Sequence, residues 1–396
     1  MMEKPDRKAI EELFARGTVV EAYPSLDALK EALMSGRRLK VYIGLDPTST
    51  ALHIGHAKNL MFLEELRALG HEAIVLFGDF TAMIGDPDKA ATRRQLTADE
   101  VKKNMADWMR QIAPIVSFDD KRNPAAVMYN SAWLSKMSFT DVVGLASHFT
   151  VQQFIERDLF QKRLKEGNPI HLHEFMYPLM QGYDSVAMDV DAELCGTDQI
   201  FNALAGRTLM RRLKDKEKFV IALNLLANPK TGELMSKSNG TGVFVDQEPK
   251  GLFGALMALP DPMIEPLFLN CTRIPLSEKE PLMALGPRQA KARVAFDIVK
   301  RFHGEAAAAE AEAAFEKTFA KGGVPDDVAE VRSEGGLAAD ALVKAGIVES
   351  KTEWRRLVKD GAVRTDSDEK IEDPNLSVKA ATVLKIGKRR FVRILP

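Results

Sequence analysis

The chain has 396 residues, 28% of them charged, a formal net charge of −1 and only two cysteines, Cys195 and Cys271. Such a length allows two or three domains with substantial cores. The charge balance excludes a generic polyanion binder, while two cysteines exclude a disulfide framework, leave little for a structural zinc site and suit a reducing cytosol.

The opening MMEKPDRKAIEELFARG predicts a charged amphipathic helix with no apolar h-region. No apolar run reaches the length of a membrane span, so a soluble cytoplasmic protein without a membrane partner is expected. LKVYIGLD (39–46) is β-rich and ends in the turn former DPTST. Residues 53–70, HIGHAKNLMFLEELRALG, show helical periodicity, with Leu60, Leu63, Leu66 and Leu69 on one side and Gly70 as a stop. EAIVLFGDF (72–80) is a near-continuous apolar run, the pattern of a strand buried on both faces of a parallel sheet. Thr97 with Glu100 three residues on forms a capping box before a helix. AAVMYNSAW (125–133), ELCGT (193–197) and FVIALNLL (219–226) predict three further strands. Strands alternating with helices predict a doubly wound parallel sheet, interrupted by a largely helical insertion at about 118–173.

From about Pro249 the pattern is helical only, and KGGVPDDVAEVRSEGG (321–336) predicts a linker. The last sixty residues predict a separate small unit of two short helices and β-like segments. In it, TEWRRLVKDG places Arg355, Arg356 and Lys359 near one another. The tail 379–396 carries six basic residues, Lys388, Arg389 and Arg390 among them, and no acidic one. Such a run is either a solvated face or a surface for RNA phosphates.

Two of the seven histidines, His53 and His56, lie three apart where a strand gives way to a helix. A metal clip would need a third ligand, and the sequence offers no Glu-containing His-x-x-x-His motif. A capped, solvated helix start is a second reading. A third is nucleotide binding: free N–H groups and a positive dipole end favour an anion, Gly55 allows close approach to the backbone, and imidazoles donate to phosphate oxygens. Neither GxxxxGK[ST] nor GxGxxG occurs. Farther on, HEFMYPLMQGYDSV (173–186) predicts a helix with Pro178 in its first turn. Tyr177, Gln181 and Asp184 then share one face among apolar neighbours, as they would in lining a pocket.

His-Ile-Gly-His (53–56) resembles the first signature of class I aminoacyl-tRNA synthetases. Leu-Met-Ser-Lys-Ser (234–238) resembles their second, a Lys-Met-Ser-Lys-Ser loop downstream of the sheet. Tyr42 and Asp46 in VYIGLDPT, IGDP at 84–87, the 173–186 stretch and GTDQ at 196–199 are similar to tyrosyl-tRNA synthetases. The resemblance covers nearly the whole chain. It implies a Rossmann-like catalytic domain (1–248), a helical domain (249–320), the linker (321–336) and an α+β domain similar to S4-type RNA-binding domains (337–396). The implied activity is joining of L-tyrosine to tRNA(Tyr) through tyrosyl-adenylate, with ATP as substrate and Mg²⁺ assisting, in a homodimer paired through the insertion.

The resemblance also implies roles. Tyr42 and Asp184 would hydrogen-bond the substrate phenol; Asp86, Tyr177 and Gln181 would hold its ammonium group. Asp46, His53, Gly55, His56, Asp198 and Gln199 would surround ATP and the reacting carboxylate, and Lys237 would clamp the phosphates. Arg355, Arg356, Lys359, Lys388, Arg389 and Arg390 would meet RNA. In this chain Leu234 stands where the loop signature has its first lysine, and Cys195 where relatives have the first of two glycines. The GDPDKAATRR loop (85–94) is shorter, with Lys89 and Arg93 as candidate phosphate contacts and Lys230 near the loop signature. A tryptophanyl enzyme and an RNA-binding paralogue without catalysis are the alternative readings.

Overall fold

The computed structural model describes residues 6–85, 96–235, 241–319, 329–333, 336–365, 369–378, 381–387 and 390–395. Its larger sheet has six strands: β1 (Val19–Tyr23), β2 (Lys40–Leu45), β3 (Glu72–Phe77), β4 (Ala126–Tyr129), β5 (Ala192–Gly196) and β6 (Phe219–Leu223). They lie in the order β1-β6-β5-β2-β3-β4. Strands β2 to β6 pair in parallel, and β1 closes one edge antiparallel to β6. The apolar run in β3 is buried from Ala73 to Phe77, as a strand covered on both faces must be.

The alternation of strands and helices foretells this sheet, but β1 goes unannounced. Its stretch of five residues, VVEAY, is short, with Val20 and Glu21 exposed and only Ala22 buried, so no apolar run marks it. β4 ends at Tyr129 and the chain turns at Asn130 into the helix Ser131–Leu134, so the strand expected over 125–133 is half helix. β4 therefore sits inside the span expected to be helical insertion. The helices Phe139–Ala146, Val151–Ile155 and Asp158–Lys165 follow it. The Thr97 capping box forms in full. In the helix Ile54–Ala68, Leu60, Leu63 and Leu66 are buried, but so are Lys58 and Arg67 on other faces.

Going from β2 to β3 and β4 the chain builds outward on one side; β5 and β6 build on the other. Between β2 and β5 the order reverses, and the helices leave the carboxyl ends of these two strands in opposite directions. That switch point opens a crevice in which open α/β sheets bind ligands.

The chain divides into two compact units: 1–248 with 255–304, and 249–254 with 305–396. The second holds the helix Glu305–Phe319 and a four-stranded sheet of β7 (Ala329–Arg332), β8 (Val363–Thr365), β9 (Thr382–Ile386) and β10 (Arg390–Leu395), ordered β7-β10-β9-β8. Helices Ala338–Lys344 and Lys351–Lys359 supply Leu342, Trp354 and Val358 to a core shared with Leu384, Ile386, Val392 and Ile394. No single helix among the described residues is long and apolar enough to cross a membrane.

Candidate active site

At the carboxyl ends of β2, β3 and β5 lies a cavity of about 580 Å³. Two glycines make room for the acidic groups at its wall. A Cβ on Gly78 would lie 2.0 Å from Asp46 Oδ1, and one on Gly196 would lie 2.4 Å from Asp198 Oδ1. Each glycine sits just where a strand ends, so both carboxylates occupy space that any other residue would fill.

The inner part of the cavity is built around Tyr42 and Asp184, 1% and 3% exposed. Asp184 accepts from Trp133 Nε1 at 2.7 Å and from Asn130 Nδ2 at 3.3 Å, so both of its oxygens are held. Burial pushes the Asp184 carboxyl well above the usual carboxylate range, against the pull of those two donors. Burial, with the nearby carboxylates of Glu193 and Asp184, also pushes the Tyr42 phenol well up and keeps its proton on. A buried O–H donor thus stands beside a buried carboxyl acceptor, a pair suited to a hydroxyl that can both accept and donate.

Tyr177, Gln181 and Asp184 do share one face of the helix Met176–Met188, and all three line the cavity. Tyr177 Oη donates to Asp46 Oδ2 at 2.7 Å, while Thr81 Oγ1 donates to Asp46 Oδ1 at 2.8 Å. Residues expected at two separate subsites, Tyr177 for the amino acid and Asp46 for ATP, therefore share a hydrogen bond. Asn130 links the two groups: its amide nitrogen lies 3.1 Å from Thr81 Oγ1 as well as reaching Asp184, and its carbonyl accepts from the Phe80 amide. Gln181 turns its Nε2 to Glu193 Oε1 at 2.9 Å.

On the outer side the helix Ile54–Ala68 begins at His53. Its Nδ1 accepts from the Gly55 amide at 3.1 Å, so the imidazole itself serves as the N-cap. That bond leaves Nδ1 without a proton and makes Nε2 the donor. A Cβ on Gly55 would meet the His53 ring at 2.8 Å, so only glycine fits beside that ring, and Gly55 lines the cavity. The His56 ring lies 3.9 Å from that of His53 and 5.8 Å from that of Trp108. Asp198 and Gln199 lie at the end of β5, and Gln199 accepts from Asn202 Nδ2 at 2.8 Å. Lys58, 2% exposed, also lines the cavity and donates to Asn59 Oδ1 at 2.7 Å; burial lowers its ammonium to about 8, with Asp198 opposing.

Asp86, Lys89, Arg93 and Lys237 lie outside the described residues, as do Lys388 and Arg389. Leu234 and Cys195 line the cavity, and burial pushes the Cys195 thiol well above its ordinary value. In the second unit Arg355, Arg356 and Lys359 are exposed, with Trp354 and Val358 of the same helix turned inward. Arg390 instead pairs with Glu353 at 3.1 Å. Sequence reasoning missed Thr81, Asn130 and Trp133. Asn130 and Trp133 fall at the carboxyl end of an expected strand, where site residues of parallel sheets gather, and that was the available signal.

Comparison with known proteins gives one result. A model of the class I tRNA synthetases (W and Y) matches residues 34–320. A tyrosine–tRNA ligase of Carboxydothermus hydrogenoformans is 40% identical over 406 residues, covering 97% of each chain. One of Aquifex aeolicus is 39% identical over 391 residues, again 97% of each. Among solved structures, a C-terminally truncated mitochondrial tyrosyl-tRNA synthetase of Aspergillus nidulans has a TM-score of 0.66 at 22% identity, covering 78% of this chain and 94% of that one. A tyrosyl-tRNA synthetase of Archaeoglobus fulgidus, complexed with L-tyrosine, has a TM-score of 0.59 at 19% identity and covers 78% and 99%. At these identities the two structures speak for the fold alone.

Proposed function

Because the chain belongs to the tyrosine–tRNA ligase family of class I tRNA synthetases, we propose that its cavity activates L-tyrosine with ATP and delivers it to the 3′ end of tRNA(Tyr). The observation that carries this reading is the Tyr42–Asp184 pair, a buried donor and a buried acceptor at the inner end of the cavity. A phenol satisfies both. The indole of tryptophan has no acceptor for the Tyr42 proton, which speaks against the tryptophanyl reading.

With the phenol at Tyr42 and Asp184, the ammonium group meets the side of Tyr177 and Gln181, with the Gln181 carbonyl oxygen as one acceptor; the family resemblance assigns Asp86 to the same group. The substrate carboxylate then faces Asp198, Gln199 and the start of the His53 helix. It attacks the α-phosphorus of ATP, the bond to the bridging oxygen breaks, and pyrophosphate leaves. A terminal hydroxyl of tRNA next attacks the adenylate and releases AMP. No covalent enzyme intermediate is needed. Catalysis comes from positioning and from donors set where charge develops on the leaving phosphates: Nε2 of His53, the His56 ring, and Lys237 of the loop signature. No cluster of three or more His, Cys, Asp or Glu that could hold a metal occurs among the described residues. Mg²⁺ bound to the phosphates of ATP would neutralise their charge.

ATP–pyrophosphate exchange with tyrosine, phenylalanine or tryptophan, without tRNA, tests the reading. Exchange with tyrosine alone is expected. Exchange with another of the three would overturn the phenol assignment, and none with any of them would leave an RNA-binding paralogue.

The sheet and two helices of the second unit fit an S4-like RNA-binding role, with Arg355, Arg356 and Lys359 exposed on one helix. Reversing all three to glutamate removes positive charge from that face without touching its core. Charging of tRNA at limiting tRNA is expected to fall at least about tenfold and its salt dependence to weaken, while tyrosine-dependent exchange stays unchanged. Equal charging by the variant would remove this face from the tRNA site.

The insertion supports a dimer. Phe139 is 84% exposed and Leu172 76%, with Val143, Val151 and Leu164 also more than half exposed. Apolar side chains this bare mark a surface meant to be covered, and two-fold pairing of the same face is the commonest cover. Phe139→Asp is expected to weaken the dimer on the order of 100-fold, read as a concentration-dependent mass by sedimentation. An unchanged mass would rule this face out.

A further inference from the structure

At the cavity floor, where Glu193 is one of the lining residues, lies an ion pair to which the chemistry above gives no role. Lys218, just before β6, meets Glu193 of β5, and their side chains are 0% and 2% exposed. A Lys–Glu pair so deep gains little net stability over apolar residues of similar size, since desolvation offsets the attraction. Its bonds point to another use. Glu193 Oε1 takes the Gln181 Nε2 at 2.9 Å. Lys218 Nζ donates to Ser185 Oγ at 2.8 Å, and Ser185 Oγ lies 3.0 Å from Tyr42 Oη. Both branches end on a residue that faces the amino-acid end of the cavity.

Helix packing makes the room. A Cβ on Gly206, in the helix Ile200–Lys214, would lie 2.6 Å from Lys218 Nζ and 2.9 Å from Ser185 Oγ; one on Gly182 would lie 3.1 Å from the Gly206 amide nitrogen. Two glycines thus bring the helices close enough for Lys218 to reach between them.

We propose that the Lys218–Glu193 pair is a positioning device that sets the hydrogen-bond polarity of the amino-acid pocket. The proposal rests on the tyrosine reading above. The first branch concerns Gln181. Its amide group is ambiguous by itself, with two donors on one side and an acceptor on the other. Holding Nε2 against Glu193 turns Oε1 to the cavity, where it accepts from the substrate ammonium. The second branch concerns Tyr42. An ammonium only donates, so Ser185 accepts from Lys218 and spends its single proton on Tyr42 Oη. The Tyr42 proton is then left for an acceptor, the Glu193 carboxylate beside it or, with substrate bound, the phenol oxygen, while Asp184, held by Trp133 and Asn130, accepts the substrate's own proton.

The two branches have separate signatures in ATP–pyrophosphate exchange. Ser185→Ala cuts the Tyr42 branch and leaves the ion pair. It is expected to raise KM for tyrosine several-fold and to lower the tyrosine-over-phenylalanine ratio of kcat/KM at least tenfold, because only the phenol contact is misdirected. Lys218→Met is expected to do the same. Glu193→Leu cuts the Gln181 branch and also takes away a carboxylate that faces Tyr42, so it is expected to raise KM for both tyrosine and phenylalanine, with the ratio falling less than in Ser185→Ala. KM for ATP should stay within twofold in all three.

Thermal melts of each variant separate these effects from loss of fold. Ser185→Ala changes one oxygen and decides the matter if the charged variants do not fold. A tyrosine-over-phenylalanine ratio unchanged in folded Ser185→Ala, or a KM for ATP that moves with that for tyrosine, would overturn the proposal. If the parent protein shows no tyrosine-dependent exchange, the tyrosine reading itself fails, and that outcome is visible before any variant is made.

Discussion

Asp184→Asn is expected to lower kcat/KM for tyrosine in ATP–pyrophosphate exchange on the order of 100-fold, with KM for ATP unchanged. The substitution keeps the shape and removes the acceptor. Trp133 Nε1 and Asn130 Nδ2 both donate to Asp184, one to each oxygen. An asparagine must turn its NH₂ toward one of these donors or toward the substrate phenol, so one buried N–H or O–H loses its partner. Each such loss costs about 1–3 kcal/mol, and the lost bond to a charged acceptor belongs to the stronger class. The defect should grow with the need for the phenol: phenylalanine, which makes no such bond, should be affected far less. Tyrosine specificity then falls because tyrosine alone bears the loss. Rejection of phenylalanine by a site built to bond a hydroxyl is already known of tyrosyl-tRNA synthetases, and its size in the parent is a matter for measurement.

The same residue carries a pH dependence. Burial raises the Asp184 carboxyl, so the proton that blocks its acceptor role arrives at a higher pH than for an exposed aspartate. Tyrosine binding favours the deprotonated form, so KM for tyrosine is expected to rise as pH falls toward that raised value. In Asp184→Asn this limb should disappear. A profile with the same acid limb in both proteins would assign it to another group.

Local spacing made part of this site legible. Tyr177, Gln181 and Asp184 are neighbours on one helical face, and His53 and His56 flank a helix start, so a single window of sequence contains each set. Thr81, Asn130 and Trp133 are different. They reach Asp46 and Asp184 from 35 to 54 residues away in the chain, through strand pairing that no local pattern encodes. Lys218 is the plainest case: in KDKEKF it reads as one more solvated charge, yet it is fully buried because Gly182 and Gly206 let two helices close over it. Lys58 misleads in the same way. The strands divide similarly. β3 and β6 announce themselves by apolar runs, whereas β1 lies at an edge where two of its five residues meet water, and there the sequence need not be apolar.

The histidine pair should act on the rate rather than on binding of tyrosine. His56→Ala is expected to slow adenylate formation on the order of 100-fold in single-turnover measurements, with the tyrosine dissociation constant within about twofold. The reason lies in where the rings stand. Both sit at the positive end of the helix Ile54–Ala68, 3.9 Å apart, on the outer side of the cavity from the buried phenol pair. A donor there gains strength only as negative charge gathers on the leaving phosphates, so its loss is felt in the transition state. His53 needs a different substitution, because its Nδ1 also caps the helix. Asparagine can accept from the Gly55 amide in its place and has no donor at the Nε2 position. His53→Asn should therefore melt like the parent and still lose adenylate formation by a similar factor. Should both variants form adenylate at the parent rate, the phosphate charge must be met elsewhere. Lys58 and Lys237 would be the groups to examine next, since Leu234 leaves the loop signature with one lysine rather than two.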